Sequence, residues 1–455
     1  LLLIAAALLT ASLHSVRVVE ATSAPESAVT VTLAADRRVQ PVRQGDRPTA
    51  SSDSSSVAVT EQASGRRFLD DMSGLSAPEL RALDQSSRAQ ATAFDSPPAA
   101  TTVVSWWNEQ RQSTRDRLVA NAPYLVGNLE GVPYSVRDTA NRAALKAAIH
   151  AAGAAGSGSA DKAAMLGQIE GSLVQAPGSP MKQLLTLDTR GSGRAAIAIG
   201  DLQTASDLTV MVPGMFFTVT GQMEDWTATG GDIYAEQATL ASKSAATSTG
   251  TAVLAWMGYR TPDLSNVLSL DLAQQGATRL DRVVKGIDAM RAASMPRVNV
   301  VAHSYGSTTA LIALSSGKIH VNSLTLFGSP GSSVTSAKDL QVDKGQVFVG
   351  DAHWDPIAGT GYFGIDPGSA GFGSTVLNLA GGVDTRDDDD VFKQPFGHND
   401  YLKPGTASLH DLALIAIGRS DLVTRSSNPG DPSDQGSGGS PQFLVVRPQD
   451  VALRD

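Results

Sequence analysis

The chain has 455 residues, no cysteine, and a formal net charge of −9 from 36 Lys plus Arg against 45 Asp plus Glu. An acidic balance offers no broad positive field to a phosphate backbone, which argues against a nucleic-acid partner. The missing thiols exclude disulfides, thiolate metal sites, iron–sulfur clusters and cysteine nucleophiles, so any chemistry falls to Ser, His, carboxylates or a sulfur-free metal site.

The sequence opens on an apolar run, LLLIAAALL (1–9), with the length of a signal-peptide core, and Val19-Glu20-Ala21 is a small-residue cleavage pattern. Residues 1–25 are therefore read as a signal peptide or the remnant of a membrane anchor. That reading predicts a secreted or membrane-anchored extracellular protein, with the apolar segment as its point of membrane association, against a cytoplasmic alternative. Residues 26–66 are rich in Ser, Thr, Asp and Arg and poor in large apolar side chains, the composition of a disordered spacer. Helical signals fill 67–180, which is expected to form a helical extension or lid. Ser76-Ala77-Pro78-Glu79 has capping-box spacing ahead of Leu80 and Leu83. Trp106 and Trp107 precede a short helix over 113–121, an Ala-rich helix covers 138–149, and another spans 159–173 with Met165, Leu166, Ile169 and Leu173 on one side.

After Pro180 short apolar runs alternate with helix-period segments, the pattern of βαβ units around a mostly parallel sheet. Strands are expected at 183–187, 195–199, 208–212, 252–257, 298–302, 323–327 and 346–349, with helices at 233–246, 270–293, 307–314 and 409–417. Strands come first and alternation later, which suits a sheet with an antiparallel leading edge. Residues 181–420 are read as the catalytic domain, and 421–455 as a Ser/Gly/Pro/Asp linker with a short apolar tail.

The stretch VVAHSYGSTTALIAL (300–314) places Ser304 at an expected strand-to-helix corner, flanked by Ala302 and Gly306. At such a corner a small-x-Ser-x-Gly pattern holds the hydroxyl exposed above the sheet edge, while the small residues let neighbouring strands approach. The pattern also occurs at Ser248 and Ser315, which lie in an expected loop and at an expected helix end, so only Ser304 has the required context. A serine hydroxyl needs a base, and the base an orienting carboxylate, in the chain order Ser, acid, His on this kind of sheet. Of seven histidines only His398 and His410 follow the last expected strand. His398 sits in a Gly-flanked loop, FGHNDY (396–401), whereas His410 falls on a helix with Leu409, Leu412 and Ala413, so His398 is the candidate base. The loop after 346–349 carries two candidate acids, Asp355, followed by Pro and Ile, and Asp351 as the alternative. Backbone N–H donors for an oxyanion are expected from Tyr305 and from Met215, in the Pro-Gly turn after the third strand.

With these residues assembled, the chain resembles the actinobacterial α/β-hydrolase family long catalogued as a domain of unknown function. The resemblance runs over about 101–419 and rests on Trp106-Trp107, PYLVGNLEGVP (123–133), RDTANR (137–142), the corner at 302–306, Asp355-Pro356, Phe372-Gly373 and GHNDY (397–401). It implies an α/β-hydrolase fold with a mostly parallel central sheet, flanking helices and an N-terminal helical extension. It also implies a Ser304, Asp355, His398 triad. The expected activity is that of an esterase- or lipase-like serine hydrolase acting on a small-molecule or lipid ester, with no metal or organic cofactor. The alternatives are a peptidase or thioesterase on the same fold, or a non-catalytic cell-surface binding module.

Overall fold

The computed structural model describes residues 52–154, 160–243, 250–384 and 390–426. The signal-peptide or anchor segment, most of the expected spacer, the Asp387 to Asp389 part of an acidic run and the apolar C-terminal tail lie outside them. Among the described residues no helix is long and apolar enough to cross a membrane.

Among the described residues the N-terminal half is a stack of nine helices: α1 (Ser52–Gln62), α2 (Gly65–Gly74), α3 (Ala77–Gln85), α4 (Ser87–Asp95), α5 (Ala100–Glu109), α6 (Gln112–Asn121), α7 (Pro123–Gly127), α8 (Tyr134–Ala154) and α9 (Ala160–Ser172). Residues 52–66, expected as the end of a disordered spacer over 26–66, are therefore largely helical. They become helical through docking, because so few apolar side chains would not hold an isolated helix of this length. Val57 and Ala63 pack on the core, and Ser56 donates to the Glu79 carboxylate. The other oxygen of that carboxylate accepts the Ser76 N–H at 2.8 Å, so the capping-box glutamate also ties α1 to α3. Phe68, Leu69, Met72 and Trp106 are fully buried, and the Trp106 indole donates to Ser73 Oγ at 2.8 Å.

The central sheet has eight strands in the order β1-β2-β4-β3-β5-β6-β7-β8. β1 (Lys182–Asp188), β2 (Arg194–Ile199) and β4 (Thr251–Met257) pair antiparallel; β3 (Asp207–Val212), β5 (Arg297–His303), β6 (Ser323–Phe327), β7 (Val347–Gly350) and the two-residue β8 (Thr375–Val376) continue in parallel from β4. The antiparallel leading edge and seven of the strands match expectation. A separate ribbon, β9 (Gly382–Asp384) with β10 (Asp390–Phe392), had no clear apolar signal. Ser426 N–H donates to Val376 O at 3.0 Å and Asn378 N–H to Thr424 O at 2.9 Å, so the catalytic unit runs past the expected boundary at 420.

Helices α10 (Val219–Lys243) and α13 (Ala407–Ala416) share one core with the N-terminal stack, while α11 (Asp271–Met290) and α12 (Tyr305–Ser315) enclose the other face. β3 shows the split: Leu208, Val210 and Val212 belong to the second core and Met211 to the first, the period-2 alternation of a strand buried on both sides. α10 starts fourteen residues earlier than expected, because Gly230-Gly231 reads as a break. At Gly230 a Cβ would come within 2.9 Å of Ile199 Cδ1, so the glycine marks close helix-to-sheet packing within a continuous helix.

The string at 123–142 that carries part of the family resemblance has a structural use. β1 is an edge strand, and open strand edges invite mispairing. Asn128 both donates to Leu187 O (3.0 Å) and accepts Leu187 N–H (2.8 Å); Asn141 donates to Leu184 O (3.0 Å), and Asp138 accepts Leu184 N–H (2.7 Å). Arg137, almost fully buried, donates to Leu185 O and pairs with Glu130. Side chains from α8 and from the connection before it thus take the place of a neighbouring strand.

Candidate active site

β5 ends at His303 and α12 begins at Tyr305, which leaves Ser304 alone to make the corner. Its backbone stands at φ 55°, ψ −130°; among the described residues the other non-glycine with positive φ is Phe216, at 63°. Such a conformation costs on the order of 1–3 kcal/mol and persists only where neighbours enforce it. Here Ser304 N–H donates to Phe327 O of β6 at 2.9 Å, and Ser307 returns both its N–H (2.9 Å) and its hydroxyl (2.6 Å) to Ser304 O. A Cβ at Gly306 would lie 2.5 Å from Pro213 O, so the position two beyond the serine admits glycine alone. Ala302 is fully buried and accommodates its methyl.

The expected residues converge. His398 Nε2 is 2.8 Å from Ser304 Oγ, and His398 Nδ1 is 2.8 Å from each oxygen of Asp355. Asp355 is fully buried and accepts further hydrogen bonds from Tyr401 OH (2.6 Å), Ile357 N–H (2.8 Å) and Ala358 N–H (3.2 Å). Burial works against its charge, but the His398 ring, the Tyr401 hydroxyl and the Ile357 amide outweigh it and hold the carboxyl below its ordinary value. Room for the pair comes from Gly328 at the end of β6 (φ 58°), where a Cβ would meet Asp355 Oδ2 at 2.6 Å and His398 Nδ1 at 3.0 Å.

Asp351, the alternative acid, does not join this line. Its Oδ1 is buried without a hydrogen-bond partner among the described residues. Burial, then the nearby Asp366 and Asp355, push its carboxyl well above the ordinary value. The loop after β7 turns at Ala352, carrying Asp351 toward Gly368 and Asp366 and Asp355 toward His398. His410 is a packed helix residue, 2.9 Å from Glu236 and stacked on Phe392.

The loop after β3 carries Met215 into the wall of the cavity that contains Ser304 and His398. Tyr305 opens α12, where an amide has no intrahelical acceptor. Neither the Met215 nor the Tyr305 amide donates to a protein acceptor among the described residues, as oxyanion donors must not. The loop is held by Phe216 N–H to Pro262 O (3.0 Å) and Tyr259 OH to Pro213 O (2.6 Å). The helices over 67–180, expected as an extension or lid, contribute nothing to the lining of this cavity.

Three participants escaped the sequence reading. His303 Nε2 lies 2.5 Å from His398 O, and its ring centre is 4.6 Å from that of His398. Burial, then the His398 charge, push its imidazole down to about 3, so it is neutral and donates from Nε2. Tyr401 accepts Ala352 N–H at 2.8 Å while donating to Asp355, and its ring stacks on Phe327. Phe216 supplies the left-handed turn of the loop after β3, next to Met215. Tyr401 stood in the GHNDY string; the other two carry no signal apart from their adjacency to Ser304 and Met215.

A serine on a strand-to-helix corner, in line with a histidine and a buried carboxylate at the C-terminal edge of a parallel sheet, defines the α/β-hydrolase class. An alpha/beta hydrolase family model matches residues 188–365, and the uncharacterized Mycobacterium bovis protein Mb0988c is 32% identical over 216 residues, 46% of this chain and 80% of that protein. The chain belongs to this α/β-hydrolase family. The uncharacterized Mycobacterium tuberculosis protein Rv2079 is 29% identical over 399 residues, 74% of this chain; the chain spans 59% of that relative's length. Among solved structures, the lidless a/b serine hydrolase XC6422 from Xanthomonas campestris aligns over 57% of this chain and 100% of its own (14% identity, TM-score 0.32). A carboxyl esterase 2 from Tuber melanosporum aligns over 36% and 50% (11% identity, TM-score 0.24).

Proposed function

We propose that the protein is a serine hydrolase that cleaves carboxylic esters through an acyl-enzyme on Ser304. The observation that carries the reading is the unbroken hydrogen-bonded line from Ser304 Oγ through His398 to Asp355. In the first half-reaction His398 Nε2 takes the Ser304 hydroxyl proton as Oγ bonds to the ester carbonyl carbon. The carbonyl oxygen becomes an oxyanion facing the Met215 and Tyr305 amides. Collapse of this intermediate breaks the bond to the alcohol oxygen, which leaves with the proton from Nε2. In the second half-reaction a water gives its proton to Nε2 and its oxygen to the acyl carbon; the acid departs, and Ser304 recovers its proton. Asp355 keeps the His398 tautomer with Nδ1–H facing it and offsets the imidazolium charge.

Fluorophosphonate labelling tests the reading: wild type should be modified and Ser304→Ala should not, with hydrolysis of nitrophenyl esters lost in parallel. Equal labelling of the two proteins removes it. We further propose export or anchoring through the apolar run at 1–9. Finding the mature N-terminus upstream of Ala21 on a protein released freely into the cytosolic fraction would refute that.

A further inference from the structure

A cavity of about 300 Å3 reaches both the Ser304 hydroxyl and the His398 ring, and its walls combine two kinds of surface. Phe216, Phe217 and Trp226 give aromatic rings, the last two meeting edge to face at 5.0 Å. Asp225 and Asp232 give carboxylates, and with Thr229 they follow the i, i+4, i+7 spacing of α10, so one helix face brings all three to the cavity. Neither carboxylate has an ion-pair or hydrogen-bond partner among the described residues. Lys403, the lysine of the lining, is already paired with Asp400. The cavity beside the serine is therefore aromatic and net negative.

We propose that this cavity selects esters whose inserted limb ends in a cationic ammonium group. The inference rests on the ester-hydrolase reading of Ser304 and adds charge selection to it. An ammonium group is attracted both by the face of an aromatic ring and by the unpaired carboxylates. An anionic group would meet two like charges in the same space, and a neutral one would gain only the apolar contact. Burial raises the Asp232 carboxyl above its ordinary value, a strain that a bound cation relieves. At the ~30 Å3 that one water occupies in the liquid, the space holds a limb of about ten heavy atoms.

Two matched pairs test this, one for each side of the ester. On the acyl side, nitrophenyl 6-(trimethylammonio)hexanoate is compared with nitrophenyl 7,7-dimethyloctanoate, its uncharged isostere. On the alcohol side, choline butanoate is compared with 3,3-dimethylbutyl butanoate. In the pair whose limb enters the cavity, kcat/KM should favour the cation by about tenfold at low ionic strength, carried mainly by KM. The ratio should fall toward one at about 1 M salt, where the screening length is ~3 Å, and in Asp225→Asn and Asp232→Asn. A ratio of one or less in both pairs, or a preference that neither substitution changes, overturns the proposal. Should no ester be turned over and Ser304 resist fluorophosphonate, the hydrolase reading fails separately. Charge selection is then read from the 15N indole signal of Trp226, one of five tryptophans and assigned by its loss in Trp226→Phe. Phenyltrimethylammonium should shift it in wild type and not in the Asp225→Asn/Asp232→Asn double variant; no shift in wild type overturns the proposal on binding alone.

Discussion

Gly214 lies where the loop after β3 passes the nucleophile, and replacing it with alanine should disable catalysis while leaving the fold in place. The added Cβ would stand 2.7 Å from Ser304 Cβ, 3.1 Å from His303 O and 3.3 Å from Ser304 Oγ. Carbon atoms settle at about 3.5–4.0 Å, so something must move by ~1 Å. Ser304 cannot give way, because its amide is held by Phe327 O and its carbonyl by Ser307. The loop gives instead, and the Met215 amide moves with it. A misplacement of ~1 Å in a catalytic group costs about 10²-fold, and complete loss of one oxyanion donor about 10²–10³-fold. Gly214→Ala should therefore lower kcat for nitrophenyl butanoate by roughly a hundredfold or more with KM little changed, at an overpacking cost of ~1–3 kcal/mol. Thermal melting establishes that the variant is folded. Gly230→Ala is the control, since its Cβ would meet the flexible tip of Ile199 at 2.9 Å on the face of α10 that packs on the sheet, not the face that Asp225, Thr229 and Asp232 turn to the cavity; it should lower Tm and leave kcat intact. A folded Gly214→Ala enzyme with kcat within about threefold of wild type would refute the placement of the oxyanion loop.

Three further substitutions probe the groups around the triad. Tyr401→Phe keeps the ring on Phe327 but strips a hydrogen bond from Asp355 and leaves Ala352 N–H without its acceptor; kcat should fall about tenfold, with a stability loss of ~1–3 kcal/mol by denaturant titration. An unchanged kcat would mean that the Asp355 geometry does not depend on Tyr401. His303→Phe should lower kcat several-fold without altering the shape of the pH–rate profile between about pH 5 and 9, because His303 is already neutral there. The same depressed imidazole makes the unfolded chain bind more protons than the folded one between the free-histidine value of ~6.5 and about 3, so wild-type stability falls as pH is lowered through that window. His303→Phe should flatten the fall, and an equally steep acid transition in Tm would contradict it. Asp351→Asn should raise Tm near neutral pH by a few degrees, because a carboxyl pushed up by burial, Asp366 and Asp355 destabilises the fold as pH rises above the unfolded value. It should leave nitrophenyl ester turnover within about twofold of wild type; collapse of turnover would restore Asp351 as the acid.

The parts of this molecule that could be read from sequence are those whose physics is periodic. Buried parallel strands produce short, nearly unbroken apolar runs, and all seven of the expected strands stand within a residue or two of their limits. Ser304 could be separated from Ser248 and Ser315 because a strand precedes it and a helix follows. The acid could not be settled in the same way: Asp351 and Asp355 lie on one loop, and only the turn at Ala352 decides which reaches His398. The glycine pair at 230–231 reads as a break in α10 although Gly230 serves close packing on the sheet, and α1 has no clear signal because a polar anchor, Ser56 on Glu79, holds it where apolar periodicity would be expected.

The string at 123–142 carries the same lesson further, since its place in the family resemblance would suggest a part in the chemistry. Its polar side chains face away from the cavity at Ser304 and spend their hydrogen bonds on the backbone of β1. Such contacts have no sequence period, because an asparagine that completes a strand edge looks the same in a sequence as one that binds a ligand. They do have a distinct energetic signature. Asn128→Ala leaves the Leu187 N–H and C=O of an interior edge without partners, at ~1–3 kcal/mol for each group left unsatisfied. The loss falls on the fold as a whole, so the variant should melt earlier yet retain wild-type kcat below its transition. A loss of kcat at temperatures where Asn128→Ala is fully folded would instead mean that the helical stack governs the site, and that its role extends beyond covering the sheet edge.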